Sequence, residues 1–409
     1  MIDYDGLWPD TTPYLAPEVL AGIAADAARA DREGRISERG LTLLRESNWP
    51  GLAVPEKFGG QGAGLLLCCA TQRELAAADP GLAIALNMHL FSIGLMVEHW
   101  RRRADVSWLL MEAIATQGRL LASAFAEPDL GGSVSRSTLR ARRDGASWVV
   151  SGRKAPCSLA GVADLVCLQA QTEEADPRVL VALLPMSAPG LRVERTWDAL
   201  GMRGSASDTV LLEDCAIPDE LVFYQARAGA EDDDVLTAGV VWFALTVTAA
   251  YLGVAQAART AAAELLRRGR ISHLGARRAD LPSYQAAVGQ ASADLLALEA
   301  GCAGLAARMD AGADPATLIE PALAVKERAA VAVPAAVAAL VESCGGMAYG
   351  ANGALSRLWR DAQAIRFHPP TGPAVRQYLG RRALGVPARL DLDEAAPWLI
   401  ERTAAERNG

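Results

Sequence analysis

The chain is poor in paired cysteine, in basic charge and in long hydrophobic runs. Its 7 cysteines, Cys68, Cys69, Cys157, Cys167, Cys215, Cys302 and Cys344, show no CxxC and no Cys/His ligand spacing. No metal site is expected from them, and an odd, scattered set reads as reduced core thiols in a cytoplasmic protein. The formal net charge of -8 argues against a general nucleic-acid surface. Local basic groups at Arg267-Arg268-Gly269-Arg270 and Arg277-Arg278 could still meet a phosphate. Met1-Ile2-Asp3-Tyr4-Asp5 has neither a basic region nor an apolar stretch, so no signal peptide is expected. The most apolar run, 240–258, is solitary and Ala/Gly-rich, which favours a buried bundle helix over a membrane span.

What is present is apolar material: 51% of 409 residues, enough for a sizeable core and more than one domain. Helical spacing of apolar residues predicts helix over 16–48, 68–78, 82–100 and 106–117. Near Gly118 long runs give way to short ones at 120–126, 147–151, 165–171, 180–184, 191–195 and 209–213, punctuated by Gly and Pro. That spacing predicts antiparallel β structure ending near Pro218. After an acidic connector, helical patterns return at about 236–268, 282–309, 316–343 and 373–383, enough to close a four-helix bundle. The expected fold class is α+β, with a helical unit over 1–118, a middle β unit over 119–228 and a helical bundle over 229–409.

Several local patterns invite chemistry. Glu127-Pro128 ends an apparent strand, and Gly131-Gly132-Ser133 allows a tight turn with exposed backbone donors. Ser158 carries a hydroxyl just after another strand, and Arg203 sits between flexible residues as a planar fork, read as an interface brace. His368 precedes Pro369-Pro370, which stiffen its backbone, and its imidazole is the best local acid/base candidate. His273 is a weaker one, and Trp242-Phe243 suits either an apolar pocket or ordinary bundle packing.

Five segments, in order, resemble the acyl-CoA dehydrogenases. They are Gly51-Leu52-Ala53-Val54-Pro55-Glu56-Lys57-Phe58-Gly59-Gly60, Ala126-Glu127-Pro128-Asp129-Leu130-Gly131-Gly132-Ser133, Gly201-Met202-Arg203-Gly204-Ser205, Gly345-Gly346-Met347-Ala348-Tyr349, and the signature from Trp359-Arg360-Asp361 to Thr371. Together they span most of residues 50–385.

The resemblance implies a flavoprotein, with FAD as cofactor. It assigns Glu127, Gly131, Gly132, Ser133 and Ser158 to the flavin side. Arg270, Glu342, Gly345 and Gly346 would reach the cofactor of a neighbouring subunit, in a homodimer or dimer of dimers. Thr371 would lie near the adenine-linked half or the substrate entrance, and Arg360-Asp361 would be a structural pair. Departures are visible: Ala126 stands where the family has threonine, Pro156 where it has an aromatic, and Ala348 where it has glycine.

The largest departure concerns the base. The family removes an α-proton from an acyl thioester with a glutamate found at one of two places. These match Pro369 and a position near Phe243, and neither supplies a carboxylate. The leading expectation is an FAD-dependent oxidoreductase acting on a CH–CH bond of an acyl-CoA or acyl-carrier-protein thioester, with His368 as atypical base and an electron-transfer flavoprotein as partner. The first alternative is a flavin monooxygenase on the same fold, fed by a flavin reductase. The second is a non-catalytic subunit of a mixed assembly.

Overall fold

The computed structural model describes residues 6–128, 130, 132–230, 233–388 and 390. Five helices come first: α1 (Pro17–Glu33), α2 (Glu38–Glu46), α3 (Leu65–Ala78), α4 (Pro80–Arg103) and α5 (Trp108–Gln117). The single helix expected over 16–48 is two. Gly34 adopts φ 61° and ends α1, and the Ser37 side chain then accepts from the Gly40 N–H to open α2. Asp79 caps α4 in the same way through the Leu82 N–H, with Pro80 in the first turn.

The middle strands are β1 (Leu121–Ala124), β2 (Arg140–Asp144), β3 (Ser147–Cys157), β4 (Leu165–Thr172), β5 (Arg178–Pro185), β6 (Leu191–Glu194), β7 (Asp208–Pro218) and β8 (Val222–Arg227). They form one sheet in the order β6-β7-β3-β2-β4-β5-β8, with β1 beside β4. The ladders are antiparallel, as expected, except that β4 runs parallel to both β1 and β2. The β unit continues past Pro218, because β8 follows one turn later and pairs with β5.

Helices α6 (Asp234–Arg268), α7 (Pro282–Asp310), α8 (Pro315–Cys344), α9 (Ala354–Ala362) and α10 (Gly372–Ala383) complete the chain. α6 packs on α7, α8 and α9, and also on α3 and α4 of the first helical unit. Gly253 makes part of this approach possible: a Cβ there would lie 2.1 Å from the Arg73 carbonyl oxygen. Both α4 and α6 are long and apolar enough to cross a membrane, yet 94% and 89% of their apolar windows are buried inside the fold. Protein already covers their sides. All seven cysteines are buried and free.

Candidate active site

One cavity of about 330 Å³ opens where the β sheet meets the helices. The sheet side contributes Phe125, Ala126, Gly132, Ser133, Pro156 and Ser158. Helices α4 and α6 contribute Met88, Phe91, Val240 and Phe243. The segment after α9 contributes Phe367, His368, Pro369 and Pro370. Three of the residues singled out from sequence at the flavin loop and strand thus meet His368 in one space. Gly131 lies outside the described residues.

Gly132 has φ 87°, and a Cβ on it would fall 2.5 Å from Cβ of Pro369. The flavin-loop glycine and the proline at the expected base position therefore pack directly together, in a backbone conformation that L side chains rarely adopt. Gln169, buried on β4, fixes the next turn by donating to the carbonyls of Ser133 (3.1 Å) and Arg136 (2.7 Å).

Glu127 does not face this space. Its carboxylate is buried and holds Lys154, accepting also from Ser137 Oγ at 2.5 Å and the Thr138 N–H at 2.7 Å. Burial alone would raise its pKa, but the Lys154 ammonium, by charge and hydrogen bond, and the Ser137 and Thr138 hydroxyls hold it below the ordinary value. Burial pushes Lys154 down to about 8. The Glu127 carboxylate, expected on the flavin side, is turned instead to a buried lysine and neutralises it.

Ser158 lies in the cavity wall, and in company. Its hydroxyl pairs with Ser207 at 2.7 Å, and Ser207 pairs with Ser205 at 2.8 Å. All three line the cavity. Two mutual bonds use two of three hydroxyl hydrogens, so one donor remains to be offered. Ser207 had no signal in the sequence beyond its closeness to the Gly201-Met202-Arg203-Gly204-Ser205 motif.

His368 accepts or donates a 2.7 Å bond between Nε2 and the Tyr251 hydroxyl. Its ring stands edge-on to Phe243 at 6.3 Å. Burial, and then the nearby Lys326 ammonium, push its pKa down to about 3. A histidine titrating near neutrality was expected; the structure corrects this to a neutral imidazole. Lys326, 1% exposed, donates to the carbonyls of both His368 and Pro370 and so clamps Pro369 from either side. Burial lowers Lys326 to about 8. Tyr251 was missed in the sequence. Its signal was its place on α6 eight positions after Phe243, within the same apolar stripe.

Arg203 braces an interface, as expected: it donates to the Asp31 carbonyl at 3.0 Å and the Ala199 carbonyl at 3.1 Å. Arg360 and Asp361 are structural, but not as a mutual pair. Arg360 binds Asp31 (2.6 Å) and the Leu200 carbonyl (2.8 Å), while Asp361 accepts from the Met202 N–H (2.6 Å).

The other expected cofactor residues do not line this cavity: Arg270, Glu342, Gly345 and Gly346 were expected at the cofactor of a neighbouring subunit, and Thr371 directly follows Pro370 of the wall. Arg270 follows the C-terminal end of α6, which lies 25 residues beyond Phe243, or about 37 Å at 1.5 Å per residue. Glu342 and Gly346 are exposed, and Gly345, at φ 73°, ends α8 against Arg278, which donates to the Cys344 carbonyl. His273 is exposed and far along the same connection.

Residues 18–100, 122–215 and 245–371 match the N-terminal, middle and C-terminal domains of acyl-CoA dehydrogenase. The chain is 29% identical to isobutylamine N-hydroxylase of Streptomyces viridifaciens, across 88% of this chain and 93% of that protein. It is 31% identical to L-evernosamine nitrososynthase of a Micromonospora species, across 92% of this chain and 90% of that one. Among solved structures, KijD3 in complex with FMN and dTDP-3-amino-2,3,6-trideoxy-4-keto-3-methyl-D-glucose superposes with a TM-score of 0.84 at 25% identity, covering 96% of this chain and 98% of that chain. These relatives favour the oxygenase alternative over CH–CH oxidation.

Proposed function

Because the chain belongs to the acyl-CoA dehydrogenase family, we propose that it is a flavin-dependent monooxygenase on that fold, transferring one oxygen atom to a nucleophilic heteroatom, nitrogen foremost. The observation that carries this reading is the wall opposite the flavin loop. Pro369 fills the place where a dehydrogenase needs a carboxylate, packed on Gly132 and clamped by Lys326. His368 beside it is neutral, with a pKa of about 3, so it is a poor acceptor for an α-proton.

The cavity fits a flavin. Its walls are flat and largely apolar at Phe125, Pro156 and Phe243, Gly132 brings backbone close, and the Ser158–Ser207–Ser205 chain has one hydroxyl hydrogen left to donate. Ser158 and the loop at Gly132 and Ser133 would hold the ring. We infer FMN rather than FAD, on the KijD3 complex and on the exposed Glu342 carboxylate beside the Gly345–Gly346 turn, which would repel a dinucleotide phosphate. Reduced flavin, when bound, supplies the two electrons by which one oxygen atom of O2 goes to the substrate and the other leaves as water. For a primary amine the balance is amine, O2 and reduced flavin giving hydroxylamine, water and oxidised flavin.

The chain's own residues do the rest. The Phe91 and Phe243 rings, packed edge to face in the cavity wall, would keep water from the reacting atoms. Tyr251 orients His368, which presents an uncharged polar edge. A separate reductase would supply the reduced flavin, and the working assembly is a homo-oligomer. The test is single turnover: FMN-loaded protein is reduced, then mixed with isobutylamine and isotopically heavy O2. Hydroxylamine carrying the heavy atom is expected. Anaerobic bleaching of the oxidised flavin by butyryl-CoA would instead restore the CH–CH reading.

A further inference from the structure

We propose that the substrate of this cavity is an uncharged, predominantly apolar molecule, bound with its nucleophilic atom unprotonated and carrying neither a phosphate nor a carboxylate. The proposal rests on the monooxygenase reading and narrows it.

Charge comes first. Among the described residues that line the cavity there is no Asp, Glu or Lys, and Arg360 is the one permanently charged side chain. Arg360 is already committed, to both Asp31 oxygens at 2.6 and 3.3 Å and to the Leu200 carbonyl at 2.8 Å. A substrate ammonium would find no carboxylate there, and a diphosphate no unengaged cation. Placing an unpaired charge in such a space is costly, whereas a neutral molecule pays no such penalty.

Shape and surface agree. Phe91 meets Phe125 at 5.1 Å and 78°, and Phe243 at 5.7 Å and 81°, so three rings make a continuous edge-to-face wall. Each ring is at most 9% exposed, and what remains uncovered borders the cavity that all three line. At the outer edge of the lining, Leu200 is 70% and Phe367 77% exposed. A guest therefore meets apolar surface from the rim to the deepest wall. The polar side chains on offer are hydroxyls, the Gln363 amide and a neutral imidazole, which orient a neutral heteroatom without demanding charge. The KijD3 complex holds a nucleotide-linked amino sugar; the described lining offers such a diphosphate no unengaged cation, and the FMN phosphate would equally have to lie outside it.

The experiment uses FMN-loaded protein with the flavin oxidised, so binding is read without turnover. Indole and dibutyl sulfide serve as neutral probes, tryptamine as the indole ring bearing an ammonium, and thymidine diphosphate as the nucleotide. Flavin absorbance changes are followed at pH 7. Indole or dibutyl sulfide is expected to bind at least tenfold more tightly than tryptamine, and thymidine diphosphate to displace neither at hundredfold excess. Met88→Glu, at a half-buried lining position on α4, should move the preference toward tryptamine. Tryptamine or the diphosphate binding as tightly as the neutral probes overturns the proposal, as does failure of both neutral probes to bind up to their solubility. Should Met88→Glu not fold, the wild-type ratio decides alone. Failure of the protein to take up FMN at all would count against the monooxygenase reading itself.

Discussion

Asp361→Asn should remove a pH dependence from the stability of this protein. Asp361 is 3% exposed and accepts the Met202 N–H at 2.6 Å. Burial, and secondarily the Asp31 carboxylate, raise its pKa from 3.8 to about 7, against the opposing pull of the Met202 N–H, Arg357 and Arg360. The folded state therefore holds this proton more tightly than the unfolded chain. Its contribution to stability is fully present below pH 4 and is lost as pH rises through about 7. Each pH unit inside that window costs about 1.4 kcal/mol. Integrated from pH 5 to pH 8, the loss attributable to Asp361 is about 2–3 kcal/mol. Asparagine keeps an acceptor for the Met202 N–H and cannot ionise. The advantage of the variant over the wild type should grow by that amount across the range. An unmatched Nδ2–H would shift every point equally and leave the slope intact. Subtracting the two proteins also cancels Asp79, which burial lifts to about 6 in both. Chemical denaturation at fixed protein and flavin concentration, at pH 5, 6, 7 and 8, reads the difference. Parallel curves for variant and wild type would refute the reasoning, because they would mean that Asp361 binds its proton equally in both states.

Gly132→Ala should weaken flavin binding at least about tenfold, because the position combines φ 87° with a 2.5 Å approach to Pro369. Gly118→Ala is the control, at φ 60° with open space around it, and equilibrium dialysis against FMN should show its affinity near wild type. Tyr251→Phe leaves His368 Nε2 without its partner in a buried setting, which should lower stability by about 1–3 kcal/mol; an unchanged melting curve would dismiss the pairing. Lys154→Met strands a buried carboxylate at Glu127 and should cost about 3–5 kcal/mol, with Lys154→Met/Glu127→Gln recovering a substantial part. A double variant no more stable than the single one would show that Glu127 is not held by its charge partner.

The layers were legible because each follows a periodicity. Leu, Ile and Ala at helical spacing marked α3 to α8, and short apolar runs between glycines marked most strands. β2 escaped because Arg140-Ala141-Arg142-Arg143-Asp144 buries Ala141 alone, so an edge-like strand of charged residues carries no alternation. β8 escaped because a proline and an acidic turn at Asp219–Leu221 read as an ending. α9 carries a stripe at Leu355, Leu358 and Ala362, but over 9 residues it spans too few turns for the period to stand out beside Arg360-Asp361. At the site, loop glycines and Ser158 were visible as turn and hydroxyl chemistry. Ser207, Tyr251 and Lys326 were not, because each acquires its role from a partner distant in sequence: Ser158, His368 and the backbone on both sides of Pro369.

Arg360-Asp361 shows why adjacency misleads. Read along the chain, an arginine beside an aspartate suggests a pair. Successive residues on a helix point about 100° apart and do not face each other. In the fold each reaches into a different layer. Arg360 binds Asp31 on α1, 329 positions away, and Asp361 binds the backbone of Met202, 159 positions away. Asp31 also gives its carbonyl to Arg203, so one residue of α1 is tied to both the middle and the C-terminal layers. These bonds lie at the edge of the cavity, since Arg360, Leu200 and Met202 all line it. The same contacts that occupy Arg360, and so keep the cavity free of available charge, also lock together the three layers that form its walls. A change at Asp31 should therefore act in two ways at once, loosening the layers and freeing a cation at the mouth. Asp31→Asn is expected to lower stability and, unlike Tyr251→Phe, to raise the affinity of the FMN-loaded protein for thymidine diphosphate. Dialysis of the two variants side by side separates these effects. If Asp31→Asn is destabilised but gains no anion affinity, Arg360 is not what makes the mouth neutral.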